Sequence, residues 1–183
     1  WNRDGSAVVY QIQDREQTWL ELVSAAHDGT SRTILRETTK AWVKPHGPPY
    51  WLRAGGFLWQ SERSDWRHLY RYRADGTLVK QLTSGEWEVR ELHGVDEKSG
   101  LVFFSSTKRR PIGLDVDRVR LDGSSMRRLS EQAGTHTATF NPSLTSYVDR
   151  WSDIRTPDQA RLHRADGKLV QIVDPNRVDG LGE

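Results

Sequence analysis

Two carboxylates, Glu86 and Glu88, stand two residues apart in the segment "GEWEV". On a strand that spacing puts both on one face. Such a pair could work as acid and base, or could hold a substrate amine. The plainer reading is two solvated acids at the entry to a strand. The pairs Arg109-Arg110 and Arg127-Arg128 could touch phosphate. Their surroundings read as a turn and an outer strand, which favours a solvated face. The six histidines, at 27, 46, 68, 93, 136 and 163, are scattered without metal-ligand spacing. The sequence has no Gly-x-Ser-x-Gly, His-Glu-x-x-His, P-loop or Gly-x-Gly-x-x-Gly. It has no cysteine, so thiol catalysis, disulfides and zinc–thiolate sites are excluded. No catalytic residue, cofactor site or metal site is expected within it.

The elements that would carry these residues are written in a repeat. "YRADGTL" at Tyr72 returns as "HRADGKL" at His163. Asp-Gly also occurs at Asp4-Gly5, Asp28-Gly29, Asp122-Gly123 and Asp179-Gly180. From Asp28 to Asp75 to Asp122 to Asp166 the steps are 47, 47 and 44 residues. Each of these four follows a β-type run: "TWLELVSAAH", "RHLYRYRA", "DVDRVRL" and "ARLHRA". Asp-Gly between such runs predicts a two-residue hairpin turn with positive φ at both positions. Further runs lie upstream: "AVVYQIQ", "FLWQSE", "LVFFSST" and "SYVDRWS". Three of those are preceded by yet another: "PPYWLR", "WEVRELHGV" and "THTATF".

Four short strands per unit of about 45 residues is the signature of propeller blades. The fold class is therefore all-β: a β-propeller segment of about four four-stranded antiparallel blades. Residues 48–83, 86–130 and 134–174 read as whole blades, and 1–37 as one lacking its innermost strand. The start at Trp1, in what reads as mid-strand sequence, suggests a piece of a longer chain. An open segment would expose blade faces, so self-association is expected.

Length and composition fit one domain. The 183 residues can bury a real core. Only 35% are hydrophobic and 28% are charged, but eight Trp, five Tyr and four Phe argue against disorder. A formal net charge of +2 gives no strong pull toward nucleic acid or membrane. No apolar run approaches the ~18 residues that a membrane-spanning helix needs.

Three ordered segments are more specific. They are "FLWQSERSDWRHLYRYRADG", "QLTSGEWEVRELHGVDEKSGLVFFSSTK" and "GTHTATFNPSLTSYVDRWSD". In this order they resemble the last propeller blades of dipeptidyl peptidase IV-like serine peptidases, of the prolyl oligopeptidase group. The most telling pieces are Ser61-Glu62-Arg63 with His68-Leu69-Tyr70, Gly85-x-Trp87-x-Val89, and Gly134-Thr135-His136. The similarity runs from about Asp4 to Leu169.

The resemblance implies a parent enzyme in which an eight-bladed propeller precedes an α/β-hydrolase domain bearing a Ser-Asp-His triad. That domain would be the chain's partner, and a peptide the substrate. The hydrolase domain would follow this chain and is absent from it, so the chain alone is expected not to hydrolyse peptides. The family's "DWVYEEE"-like stretch, which grips the substrate amine, has no match here, and Glu86 and Glu88 do not correspond to it. The segment after "WV" can line the family's substrate cavity. Here it reads "WVKPHGPPYW", which makes Lys44 and His46 the candidate cavity residues. The family's arginine is unmatched there, and a polar inter-blade loop stiffened by Pro45, Pro48 and Pro49 is the simpler reading. The resemblance leans toward an extracytoplasmic location. A free-standing propeller that serves as a protein-binding scaffold is the alternative.

Overall fold

A computed structural model describes residues 1–2 and 5–176. Asp4 and the Asp179-Gly180 pair lie outside the described residues. The described chain carries fifteen β-strands in four antiparallel sheets, in two compact units. No helix in it is long and apolar enough to cross a membrane.

The first unit spans Trp1–Gly85. Its first sheet has three strands in the order β1 (Ala7–Gln13), β2 (Trp19–Ala26) and β3 (Ser31–Thr38). Its second has four, in the order β4 (Tyr50–Trp51), β5 (Phe57–Ser61), β6 (His68–Tyr72) and β7 (Leu78–Gln81). The second unit spans Glu86–Glu183. One of its sheets runs β8 (Val89–Asp96), β9 (Leu101–Ser106), β10 (Asp115–Arg120), β11 (Arg127–Arg128). The other runs β12 (Thr135–Phe140), β13 (Ser146–Ser152), β14 (Gln159–Arg164), β15 (Leu169–Asp174). Every sheet is a meander in which strands adjacent in sequence are paired.

Burial follows strand position. The central strands β5, β6, β9 and β10 are buried almost throughout. In β5 and β9 this burial falls mainly on apolar residues, whereas β6 and β10 also bury His68, Asp115 and Asp117. β13 alternates buried and exposed residues, and all six residues of β15 are exposed. In the first unit Leu20, Leu22, Ile34, Phe57, Trp59 and Tyr72 pack into one core. In the second, Phe103, Val116, Leu129, Ala138 and Tyr147 do so. Phe57 stacks on Tyr72 at 5.2 Å and Phe140 on Tyr147 at 4.7 Å, so aromatic contacts cross between strands.

The Asp-Gly turns differ from the sequence expectation in a uniform way. Gly29, Gly76, Gly123 and Gly167 have positive φ, but none of the aspartates before them does. In each loop the glycine N–H donates to the carbonyl three residues back, as Gly76 does to Arg73 at 3.0 Å. The strand-closing bonds, such as Arg73 N–H to Thr77 O at 2.9 Å, span one more residue. These are three-residue hairpin loops: a type I turn followed by a left-handed glycine. Asp75 has another task there. Its carboxylate accepts the Thr77 N–H at 2.8 Å, and Asp28, Asp122 and Asp166 repeat the contact with Thr30, Ser124 and Lys168. These hydrogen bonds hold all four carboxyls below their usual range, against slight desolvation.

Gly76 is constrained twice. Its φ is +91°, and a Cβ there would stand 1.7 Å from the carbonyl oxygen of Ile34 on β3. Gly29 has φ +83° but open space around it. Gly29→Ala should therefore cost about 1 kcal/mol, the left-handed penalty alone. Gly76→Ala should cost about 3 kcal/mol or more, because backbone must also shift. Urea midpoints of the two variants check the difference.

Candidate functional site

The loop that follows β3 carries Lys44 and His46, and the structure sends the two side chains to different environments. Lys44 is exposed and lines a cavity of about 370 Å³ together with Glu37, Trp42, Glu62, Arg63 and Asp65. The His46 ring is turned inward, with only 9% of its side chain exposed. Its Nδ1 lies 3.4 Å from Arg67 Nη1, and its Nε2 lies 3.1 Å from Glu62 Oε1. Arg67 can only donate, so Nδ1 accepts and the ring proton sits on Nε2, facing Glu62. Burial, then the Arg67 charge, push His46 below its ordinary value; Glu62 pulls the other way and does not prevail.

Glu37 organises the cavity wall. Its carboxylate accepts Trp59 Nε1 at 2.9 Å and Ser61 Oγ at 2.7 Å, and it pairs with Arg63. Arg63 in turn lies over the Tyr70 ring at 4.7 Å and the Tyr72 ring at 5.6 Å. Burial alone would lower the Arg63 guanidinium; the Glu37 hydrogen bond and charge outweigh it and raise it. The Ser61-Glu62-Arg63 stretch is thus a clamp on the end of β3. The wall carries both charge signs, from Lys44 and Arg63 against Glu37 and Glu62. Its one hydroxyl beside a carboxylate, Ser61 on Glu37, is 1% exposed and also held by Arg63, so the wall can bind and orient but shows no acyl-transfer constellation.

The other sequence candidates separate. Glu86 sits in a bend and Glu88 just ahead of β8, so the two do not share a strand face. Glu88 lies 3.0 Å from Arg90 Nη1. Arg127 and Arg128 are exposed on the two-residue strand β11. Arg109 donates to the carbonyls of Glu131 and Gln132 at 3.4 and 3.2 Å. His68 is structural. Its Nε2 donates to Gly85 O at 2.9 Å, and its Nδ1 meets Thr83 Oγ1 at 3.0 Å. No group of three or more His, Cys, Asp or Glu side chains among the described residues could hold a metal ion.

Two buried polar clusters were not singled out by sequence reasoning. Asp115 and Asp117, on one face of β10, are 6% and 3% exposed. Ser130 Oγ donates to Asp115 at 2.7 Å and Ser106 Oγ to Asp117 at 2.7 Å. Burial pushes Asp117 up to about 6, against the Ser106 hydrogen bond and with help from the Asp115 charge. The signal was present: the alternation "DVD" stands where the preceding repeat has "HLY". The second cluster joins His136, Asp149, His163 and Tyr147. His136 Nδ1 lies 2.6 Å from Asp149 Oδ2, and His136 Nε2 donates to Gln132 O at 3.1 Å. His163 Nε2 stands 3.9 Å from the same Asp149 oxygen, and its ring stacks on Tyr147 at 5.1 Å. Burial and then the Asp149 charge push the Tyr147 phenol well above its ordinary value.

Four consecutive antiparallel meanders, two of them with central strands buried almost throughout, define a segment of a β-propeller. Residues 1–158 match the family described as the dipeptidyl peptidase IV (DPP IV) N-terminal region, and the chain belongs to that family. It is similar to dipeptidyl peptidase 4 of Trichophyton rubrum, 28% identical over 92% of this chain and 23% of that one. It is also similar to human dipeptidyl peptidase 8, 24% identical over 90% of this chain and 24% of that one. The crystal structure of Porphyromonas gingivalis dipeptidyl peptidase 4 superposes with a TM-score of 0.87. That match is 27% identical and covers 96% of this chain and 25% of the other. The chain thus spans about a quarter of the length of the relatives it matches.

Proposed function

We propose that this chain is the propeller wall of a dipeptidyl peptidase IV-like serine exopeptidase, where it shapes the substrate cavity and restricts entry to it. The observation that carries this reading is the family match over residues 1–158. The mixed-charge cavity beside Lys44 supports a surface role in substrate passage. Lys44 would meet substrate directly. His46 would act behind it, fixing the loop through Arg67 and Glu62. The acyl transfer itself would belong to an α/β-hydrolase partner domain of the parent chain. The fully exposed strand β15, with Leu169, Val170, Ile172 and Val173, supports the view that further protein covers this sheet.

The test uses the full-length protein that carries this sequence. Lys44→Ala should lower kcat/KM for a Gly-Pro chromogenic peptide by about three- to tenfold, mostly through KM, a loss near 1 kcal/mol. His46→Ala should act in the same direction. The 183-residue chain alone should not cleave the substrate. Unchanged kinetics in both variants would remove the cavity role. Robust cleavage by the chain alone would overturn the division of labour. A parent reading frame with no Gly-x-Ser-x-Gly beyond Glu183 would favour the free-standing scaffold.

A further inference from the structure

The second and third sheets solve the same local problem with different chemistry. Ser61 pairs across the ladder with His68, and Ser106 pairs likewise with Asp115. Arg63 N–H donates to Ser61 Oγ at 3.1 Å, and Lys108 N–H to Ser106 Oγ at 3.2 Å. Leu69 N–H donates to Thr83 Oγ1 at 3.0 Å, and Val116 N–H to Ser130 Oγ at 3.1 Å. These matches make Arg63 equivalent to Lys108, His68 to Asp115, Tyr70 to Asp117 and Thr83 to Ser130.

In the second sheet the position of Tyr70 is filled by a phenol ring. Arg63 lies on that ring, and its hydroxyl meets Ser64 at 2.9 Å. In the third sheet the ring is replaced by the short Asp117. A cavity of about 290 Å³ opens beside it, lined by Lys108, Arg109, Asp115, Asp117, Met126 and Arg128. Lys108 lies 5.6 Å from the Trp87 ring and 3.3 Å from Met126 Sδ instead. Each aspartate has one oxygen tied to a serine hydroxyl. Asp115 Oδ2 and Asp117 Oδ1 accept no hydrogen bond from the described residues, although both side chains are more than nine-tenths buried. Both residues line the cavity, so a ligand's donor can reach these oxygens in place of water. Arg128, opposite Asp117 in the ladder, and Arg109 and Lys108 bring positive charge to the same space.

We propose that this cavity binds a small zwitterion, an amino acid or short peptide, with its ammonium on Asp115 and Asp117 and its carboxylate on Arg128 and Arg109. The ammonium supplies the donors that the two free carboxylate oxygens lack. The fork of an arginine suits the carboxylate at the other end. Three cationic side chains in the lining disfavour a bare divalent cation, for which two aspartates would otherwise be hard-oxygen ligands.

Isothermal titration of the chain with alanylalanine at neutral pH tests the site. A dissociation constant of about 1 mM or tighter is expected. N-acetyl-alanylalanine, which lacks the ammonium, should bind at least about tenfold more weakly, as should the dipeptide to Asp117→Asn. Arg128→Gln, on the exposed strand β11, should weaken binding without touching the buried pair. Asp117→Tyr refills the cavity as Tyr70 does and should abolish binding with the circular dichroism spectrum retained. Equal binding of the acetylated peptide, unchanged affinity in both Asp117→Asn and Arg128→Gln, or no heat at about 10 mM dipeptide would overturn the proposal.

Discussion

Asp149→Ala should cost the protein about 3–5 kcal/mol, the toll of removing one partner from a buried, hydrogen-bonded carboxylate–imidazole contact. Asp149 is 1% exposed and His136 is 2% exposed. The carboxylate takes the His136 Nδ1 at 2.6 Å, while Nε2 is committed to Gln132 O at 3.1 Å. Remove the carboxylate, and the ring is held with one nitrogen facing no acceptor. It cannot turn away, because Trp151 lies against it at 6.5 Å and its other nitrogen is bonded. Domains of this size have a total stability of about 5–15 kcal/mol, so the variant should be near the limit of folding. Asp149→Asn keeps an oxygen acceptor in place and should cost less, about 1–3 kcal/mol. Urea unfolding of both variants, with the slope compared to the parent chain, measures the gap. Similar midpoints for all three proteins would show that the pair contributes nothing.

The second large effect is on Asp117, and it has the opposite sign. Its folded-state pKa is raised to about 6 from an ordinary 3.8, so the native state holds a proton that the unfolded state releases. That contribution to stability is fully present below about pH 4 and is lost as pH rises through about 6. The shift corresponds to roughly 3 kcal/mol between those limits. The side chain is 3% exposed, so solvent screening takes little from it. Asp117→Asn removes the titrating group but keeps an acceptor for Ser106. It should stabilise the chain by about 2–3 kcal/mol at pH 7–8 and flatten its profile between pH 4 and 6. Thermal melts across that range check both parts. His46, held low by burial and Arg67, opposes this trend: its contribution is lost as pH falls below its unfolded value of 6.5.

These two clusters mark where sequence reading stops. Period and strand number were legible, because Asp75-Gly76 and its counterparts punctuate β-type runs at near-constant spacing. The turn type was not, because Asp-Gly suits two hairpin geometries. The choice rests on whether Asp75 adopts positive φ or spends its carboxylate on the Thr77 N–H. Glu86 and Glu88 looked paired only under the assumption of a strand that begins three residues too early. Lys44 and His46 came from the resemblance, and spacing alone could not tell that one ring would turn inward while the other side chain stayed in solvent. Asp149 was invisible for a simpler reason. Its partners His136 and His163 lie on two different strands, and only the β12–β13–β14 register brings the three together.

The glycine of "YRADGTL" closes against Ile34 of the sheet made just before it, and Gly167 of "HRADGKL" would place a Cβ 2.8 Å from Leu129 O, beside the end of β11. In each unit the last hairpin of the second sheet seats at the last strand of the first. That gives the chain a direction of growth. As it leaves the ribosome, the first sheet of each unit offers a bare backbone seat to the second, and only a turn without a side chain can occupy it. The same seat works as a proofreading step, since a strand displaced by one residue would present a Cβ where none fits. What the eye reads as a repeated word is, during synthesis, the latch that fastens the second sheet of each unit to its first.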